Sequence, residues 1–415
     1  MTMAIDEFIE NLDAAGNFKL RRAVERLREG LFDPLGVRLL TAHETQLNKI
    51  FDSGLRLLEQ NRSPHLCLCG SYGQGKSHSL TYIKQRALEQ GFVTSQIDLD
   101  PREIPFHDFR QVYRALLSQI SFPDKSLSLV KWWKSWTSEY KTVEKSKPGE
   151  PLEIIPESMP HFFKAVLTAL ARENMALSQR QKALKQHRNF RPREFPWLLA
   201  NALNGNSLSL PRLRQALRYR DVSFYKESSL TLKGWEPYFQ MICNLAEMFR
   251  KAGFKGWVLL FDEGESIVQR GVNIRRKSYA VLNRFLSPDS PNPGLYPIFA
   301  FTDDFFMQVQ REDYARIGLR NQPEVPYFAT NYADAWQSLT LYRLNDLSAP
   351  EWETISKKLI HLHAKAYNWQ PSDVETKKKM TNIITETRGQ EARFIIKALI
   401  QQLDLDQQKI VLEGQ

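Results

Sequence analysis

Across residues 1–45 apolar positions recur three and four apart among charges, at Phe8-Ile9, Leu12, Leu20, Val24 and Leu27 to Leu31, which predicts helices. Gly30 and the cluster Asp33-Pro34-Leu35-Gly36 break the pattern. A second amphipathic helix is expected from His43 to Glu59 and ends before Ser63-Pro64. The period then changes. Leu66 to Cys69 is a short apolar run, a glycine-rich loop follows, and Leu80, Ile83 and Leu88 return to helical spacing. Gly91 stops that helix, Phe92 to Asp100 reads as a second strand ended by Pro101, and Phe109, Val112-Tyr113, Leu116-Leu117 and Ile120 mark a helix from Phe106 to Ile120. After a long interval the alternation resumes with a helix from Tyr238 to Ala252 and strands at Trp257–Glu263, Pro297–Thr302 and Leu339–Leu344. From Ala349 onward the pattern is helical, with a last helix from Gly389 to about Leu403 and a polar tail. Strands alternating with helices predict an α/β fold around a parallel sheet of five strands.

The interval from Ser121 to Lys233 lacks this rhythm. Its apolar spacing at Phe162-Phe163, Val166-Leu167 and Leu170 is helical, and it is long for a connection, so a helical insertion is expected. The chain accordingly divides into an N-terminal helical segment (1–60), a first part of the core (61–120), a basic, Trp-containing insertion (121–235), a second part of the core (236–345) and a C-terminal helical lid (346–415).

Charge sharpens the picture of the insertion. The chain has 57 Lys and Arg against 47 Asp and Glu, a net +10. Between Ser121 and Trp235 there are about 20 basic and about 10 acidic residues, which accounts for that excess. The basic residues gather in Lys131-Trp132-Trp133-Lys134-Ser135-Trp136, in a lysine and proline segment from Lys145 to Pro151, in a run from Arg180 to Arg193, and at Arg212, Arg214, Arg218 and Arg220. Such lysines can neutralise phosphates while Trp132, Trp133 or Trp136 stack on unpaired bases, so DNA is a candidate partner. The alternative makes the tryptophans the core of a small subdomain and the lysines its wet surface. No helix-turn-helix or winged helix is readable, and only residues 390–415 follow Gly389.

No apolar run is long enough to span a bilayer, and the acidic N-terminus MTMAIDEFIENLD lacks the apolar stretch of a secretory signal, so a cytoplasmic protein without membrane contact is expected. Cys67, Cys69 and Cys243 form no CxxC pair; the first two alternate on a predicted strand and read as core.

The chemistry begins at Gly70-Ser71-Tyr72-Gly73-Gln74-Gly75-Lys76-Ser77, an uninterrupted G-x-x-x-x-G-K-[ST] between a strand and a helix, with His78 next in line. Glycines let backbone N–H groups converge on a polyphosphate, and the following helix aims its positive end at the same anion. Lys76 can reach the β- and γ-phosphates of ATP, and Ser77 can ligate Mg²⁺. A second element lies far along the chain, where four apolar residues lead into Asp262-Glu263 at the carboxyl end of a buried strand. There Asp262 would hold Mg²⁺ through water and Glu263 would deprotonate the water that attacks the γ-phosphate. Glu265 is a weaker candidate, read as solvated. Thr302, ending the next strand with Asp303 and Asp304 behind it, is a candidate for the sensor 1 role; Thr there also suits a helix cap. Among arginines that could stabilise the developing charge, Arg393 opens the last helix as a sensor 2 candidate. Arg311, Arg316 and Arg320 follow the sensor strand, where an oligomeric ATPase places a finger for its neighbour. The segment Leu39-Leu40-Thr41 is placed beside the adenine by chain order.

These motifs resemble the BrxD-type AAA+ ATPases of bacteriophage-exclusion (BREX) defence loci. The likeness is carried by Ala23-Val24-Glu25-Arg26-Leu27-Arg28-Glu29-Gly30, the loop Gly70 to Ser77, the strand Val93 to Asp98 after Arg86-Ala87-Leu88-Glu89, and Leu260-Phe261-Asp262-Glu263-Gly264-Glu265. It continues through Phe299-Ala300-Phe301-Thr302-Asp303-Asp304, Arg343-Leu344 with Leu347-Ser348, and Glu391-Ala392-Arg393-Phe394 leading to Leu403-Asp404. The insertion contributes no matching motif. The family is similar in its core to the origin-recognition group of AAA+ ATPases. The resemblance implies a P-loop NTPase fold of the AAA+/ASCE type with a five-stranded parallel sheet and a helical lid, MgATP as ligand, assembly as an oligomer or with other defence proteins, and work on or near DNA. His43-Glu44 departs from the Gly-Arg-Glu turn usual there. Two other readings use the same parts: a replication-initiator or helicase-loader ATPase, and a signalling switch in which slow hydrolysis resets a conformation.

Overall fold

The computed structural model describes residues 5–413 apart from 32, 125–126, 140–149, 173–191, 226, 290, 318–327 and 329. Four helices open the chain: α1 (Ile5–Ala14), α2 (Asn17–Glu29), α3 (Pro34–Leu40) and α4 (Glu44–Glu59). Gly30 ends α2 in the left-handed region, at φ 76°, and returns its N–H to Leu27. The Asp33-Pro34 cluster starts a helix as well as breaking one: Asp33 accepts a hydrogen bond from the Leu35 N–H and Pro34 fills the first helical position.

The core elements follow as β1 (Leu66–Cys69), α5 (Lys76–Glu89), β2 (Val93–Asp98), α6 (Phe109–Ser118) and β3 (Ile120–Ser121). Next come the helices α7 (Leu129–Glu139), α8 (His161–Ala171), α9 (Phe195–Leu203), α10 (Leu210–Tyr219) and α11 (Glu236–Lys251). Then β4 (Trp257–Asp262), a 3-10 turn (Gly264–Gln269), α12 (Val272–Leu286), β5 (Leu295–Phe301), α13 (Asp304–Ile317), α14 (Tyr332–Ala335) and β6 (Leu341–Arg343) complete the core. Three helices close the chain: α15 (Ala349–Tyr367), α16 (Asp373–Glu386) and α17 (Ala392–Glu413). The last helix runs through what reads in the sequence as a polar tail.

The sheet has six strands in the order β3-β2-β4-β5-β1-β6, not five, and it is mixed. Strands β2, β4, β5, β1 and β6 pair in parallel, while β3 pairs antiparallel with β2 through Ser121 to Thr94 and Ile120 to Ser95. Two residues carry no periodicity, which is why Ile120 reads as the end of a helix. Every residue of β1, β4 and β5 is buried because the sheet is covered on both sides. Leu66, Leu68, Val258, Leu260, Ile298 and Ala300 face a cluster with α4 and α5, and Cys67, Cys69, Leu259, Phe261, Phe299 and Phe301 face the opposite one.

That opposite face is where the insertion packs. The buried apolar residues of α7 to α10 belong to the same cluster as Phe261 and Phe299, so the described part of the insertion extends the main core. Trp132, Trp133 and Trp136 are buried within it, and Trp133 donates its indole N–H to Leu167 O at 2.8 Å. The base-stacking reading of these tryptophans is therefore corrected: they face protein. Residues 145–149 and 180–191 of the basic segments lie outside the described residues.

A third cluster joins the two ends of the chain, with Phe8, Leu12, Leu20 and Val24 packed against Leu359, Leu362, Leu399 and Leu403. Arg28 reinforces it, donating through Nε and a terminal nitrogen to both carboxylate oxygens of Asp404 at 2.9 and 2.7 Å.

One link in the sheet carries a pH prediction. His65, just before β1, accepts the Thr340 N–H on Nε2 at 2.8 Å and so ties down the start of β6. Burial lowers its pKa from 6.5 to about 4. Folding thus favours the neutral ring. The stabilisation is fully present above pH 6.5 and is lost as pH falls towards 4, by on the order of 2 kcal/mol. Urea melts at pH 7 and pH 4.5 should register this loss, and His65→Gln, which can accept but does not titrate there, should reduce it.

Candidate functional site

The glycine-rich loop leaves β1 and enters α5 as its spacing demands. Gly73 and Gly75 hold left-handed φ values of 82° and 89°, which bends the loop around its own amides. Lys76, the first residue of α5, is buried and donates Nζ to Gly70 O at 2.8 Å and Ser71 O at 3.1 Å. The side chain of Gln74 spans the loop, accepting the Ser71 N–H at 2.7 Å and donating to Asp346 Oδ1 at 3.0 Å. The loop is anchored to both neighbouring strands, by Gly70 N–H to Phe301 O on β5 and by Leu344 N–H to Cys69 O beyond β6. Ser71 also donates its hydroxyl to Asp303 at 3.4 Å. Ser77 follows Lys76 in the first turn of α5. His78 turns instead to the segment after α3: its Nε2 meets Thr41 Oγ1 at 2.9 Å, and since that hydroxyl donates to Val37 O, the ring is the donor. Desolvation lowers the His78 pKa to about 4, so the ring is neutral at pH 7.

Asp262 ends β4, buried and in register with Asp98 of β2. Strand β5 separates β4 from β1, so a carboxylate following β4 must cross the end of β5 to approach Lys76. The turn that follows β4 lies against β5. Glu263 adopts φ 53°, a left-handed conformation that costs a non-glycine residue of order 1 kcal/mol, while its N–H bonds Asp262 Oδ1 at 2.9 Å. Gly264 then presses onto β5, where a Cβ would fall 2.7 Å from Ala300 O and 2.6 Å from a ring carbon of Phe301. Only glycine fits. Beyond the turn Glu265 is buried and lies in the field of Lys76 and Asp262. Tyr72, on the loop, lies in the field of both Glu265 and Glu263, which with burial raises its pKa.

The two glutamates differ in exposure, although both act on Tyr72. Glu263 is exposed, and its carboxyl pKa is raised by desolvation and then by Asp262, Glu265, Asp98 and Asp100, all acidic. Glu265 is only 6% exposed, which corrects its reading as a solvated side chain. Burial raises its pKa, and Asp262 adds to this while Lys76 opposes it. One oxygen, Oε2, is buried without a hydrogen-bond partner among the described residues. Its position could not be read from spacing, because it depends on the contact of Gly264 with a strand encoded some forty residues later.

The C-terminal segment reaches the loop as well. A Cβ on Gly73 would fall 2.6 Å from Glu391 Cγ, and Glu391 accepts a hydrogen bond from Arg393 Nε at 2.6 Å. Arg393 is thus one contact removed from the glycine-rich loop. Arg311 is exposed on α13, Arg316 falls on the same helix, and Arg320 lies outside the described residues.

These parts fit a magnesium-bound nucleoside triphosphate. A glycine loop of converging amides at a helix N-terminus, a lysine held by loop carbonyls, and a buried aspartate at the same sheet edge supply donors for phosphate and oxygen ligands for a hard cation. Cys67 and Cys69 are buried in β1. Among the described residues no helix is long and apolar enough to cross a membrane.

No curated protein and no solved structure matches the chain. A family model described as BREX system ATP-binding protein BrxC/D matches residues 19–184 and 234–412, including the loop, the Asp262 turn, Thr302 and Arg393. The match extends through the first half of the insertion, where no motif was legible, and omits residues 185–233. With most of its length covered, the chain belongs to the BREX system ATP-binding protein BrxC/D family.

Proposed function

We propose that the chain is an AAA+-like ATPase that binds MgATP at the loop Gly70 to Ser77, hydrolyses it to ADP and phosphate, and uses the cycle to act with partner defence proteins on or near DNA. The observation that carries this reading is the meeting of Lys76 with the acidic turn after β4 at one edge of one sheet, although the two are far apart in the chain. The strand order supports it, since β5 and its terminal Thr302 stand between the phosphate-binding strand and the acidic strand. Ser77 and, through water, Asp262 would hold Mg²⁺, which neutralises phosphate charge when bound. Lys76 and the loop amides orient the triphosphate, and the carboxylates of the turn, Glu263 foremost by sequence, act on the attacking water. Thr302, following β5, would position that water, and Arg393 would reach the γ-phosphate from the C-terminal helices. Arg316 and Arg320 remain candidates for a finger supplied to a neighbouring subunit of an oligomer.

A switch-like reading is favoured by one feature. Gln74 and Gly73 both touch the lid side of the molecule, through Asp346 and Glu391, so filling the loop would shift those contacts. Phosphate release with and without duplex or single-stranded DNA separates the two. A motor acting on DNA should be stimulated, with stimulation that fades as salt rises. A switch should hydrolyse slowly regardless of DNA. Absence of both ATP binding and hydrolysis would overturn the proposal.

A further inference from the structure

We infer that His43 is the residue that selects adenine over guanine; this rests on the ATPase reading above. Strand order gives the base its side. Along β4, β5, β1 and β6 the acidic turn follows the first and the glycine-rich loop follows the third, so with the γ-phosphate towards Asp262 the nucleoside leaves the loop on the side of β6 and α15. His43 stands there. Two residues before it, Thr41 Oγ1 lies 2.9 Å from Nε2 of His78, in the first turn of α5 with Lys76 and Ser77, and Leu39 O accepts a hydrogen bond from Lys358 Nζ of α15 at 2.9 Å. The segment is thereby pinned between the helix that starts at the phosphates and the helix that follows β6. This is also the turn in which the sequence departs from Gly-Arg-Glu, so a contact made by its imidazole is not one that the resemblance supplies.

The imidazole is oriented, and only one of its nitrogens is used. Nδ1 lies 3.2 Å from Glu351 Oε1, and Glu351 is itself held by Ser348, whose N–H and hydroxyl donate to Oε2 at 2.7 and 2.6 Å. A carboxylate only accepts, so Nδ1 carries the proton and Nε2 of the neutral ring is left as an acceptor. That Nε2 is buried and has no hydrogen-bond partner among the described residues, while the side chain as a whole is 18% exposed and so open to an approaching base. A buried acceptor without a donor is costly, and a donor that reaches it completes the site. Adenine offers one, its exocyclic amino group, at the position where guanine carries the O6 acceptor. The amino group pairs with Nε2; a carbonyl oxygen there would face a second lone pair. Because Glu351 keeps the proton on Nδ1, the neutral ring does not change tautomer to suit guanine.

The test is a competition assay on the full chain, in which a ribose-labelled fluorescent ATP analogue is displaced by ATP, by GTP or by purine riboside triphosphate, which lacks the amino group. Wild type should bind ATP at least about tenfold more tightly than either competitor, the worth of one hydrogen bond. In His43→Phe, which keeps a flat ring and loses the acceptor, the three affinities should agree within about threefold. Lys76→Ala is the contrast: it should weaken all three alike and leave their ratios unchanged. Should His43→Phe fail to fold by circular dichroism, His43→Gln takes its place, because an amide can turn either its oxygen or its nitrogen to the base, and its ATP to GTP ratio should also fall to within about threefold. Wild type that binds ATP and GTP equally, or ratios that survive the change at His43, overturn the inference. Failure of the underlying reading looks different: wild-type protein would then bind none of the three, and Lys76→Ala would change nothing.

Discussion

Lys76→Ala lowers ATP affinity by roughly 100-fold while leaving the fold intact. The ammonium is buried at the mouth of α5 and is held by two carbonyls of the loop it serves, Gly70 O and Ser71 O. Those contacts pre-position the charge at the point where the loop amides converge. A triphosphate there gains charge-assisted hydrogen bonds from Lys76, each worth roughly 1.5 to 3 kcal/mol, so loss of the ammonium removes about 3 kcal/mol of binding. Folding should change little, because the loop keeps its anchors to Phe301 and through Leu344 to Cys69, and because Ser71 is exposed and its carbonyl can turn to water. Titration with a fluorescent ATP analogue, together with a thermal melt, checks both halves. Unchanged affinity would remove the loop from the nucleotide site and with it the ATPase proposal.

Much of this arrangement was legible in the sequence because it is encoded locally. Strand β1 begins and ends at the residues its apolar run marks, and β4 runs into Asp262 as the four apolar residues before the acidic pair require. Both are runs of consecutive side chains that a covered parallel sheet buries on two faces, a pattern independent of the rest of the fold. What escaped is what depends on a distant partner. Strand β3 has two residues and exists only because β2 offers an edge to pair with. Glu265 looks like one more polar residue after a strand until Gly264 is seen lying on Phe301. Gln74 and Glu391 carry no motif of their own, yet one bridges the loop to Asp346 and the other lies against Gly73.

Charge and aromatic content were the weakest guides, since they count residues without saying which way they face. The insertion holds both lysines and tryptophans, and a nucleic-acid surface and a wet-skinned core have the same composition. Burial decides for the tryptophans alone. Arg218 and Arg212 lie on α10, whose apolar side holds Leu213, Ala216 and Leu217 in the core, so that helix divides its faces in the ordinary amphipathic way.

Trp133→Ala is accordingly expected to unfold the protein more readily and not to act selectively on DNA. The side chain is fully buried, its ring centroid lies 6.2 Å from Trp132 and 5.8 Å from Trp136, and its indole N–H satisfies Leu167 O. Truncation removes a large apolar body from a core that also holds β4 and β5, at a cost of about 3 to 5 kcal/mol. It also removes the indole hydrogen bond to Leu167 O in α8, worth about 1 kcal/mol. Because this cluster is continuous with the face of the sheet, the damage should propagate to the site, and ATP binding should weaken at temperatures where the variant begins to melt. Trp197, 66% exposed on α9, is the matched control, and its replacement by alanine should shift stability by no more than about 0.5 kcal/mol. Urea unfolding followed by circular dichroism, which does not depend on the tryptophan signal, measures both variants. A Trp133→Ala protein with an unshifted midpoint but weakened binding of single-stranded DNA would return the tryptophans of α7 to the surface and reinstate them as a platform for bases.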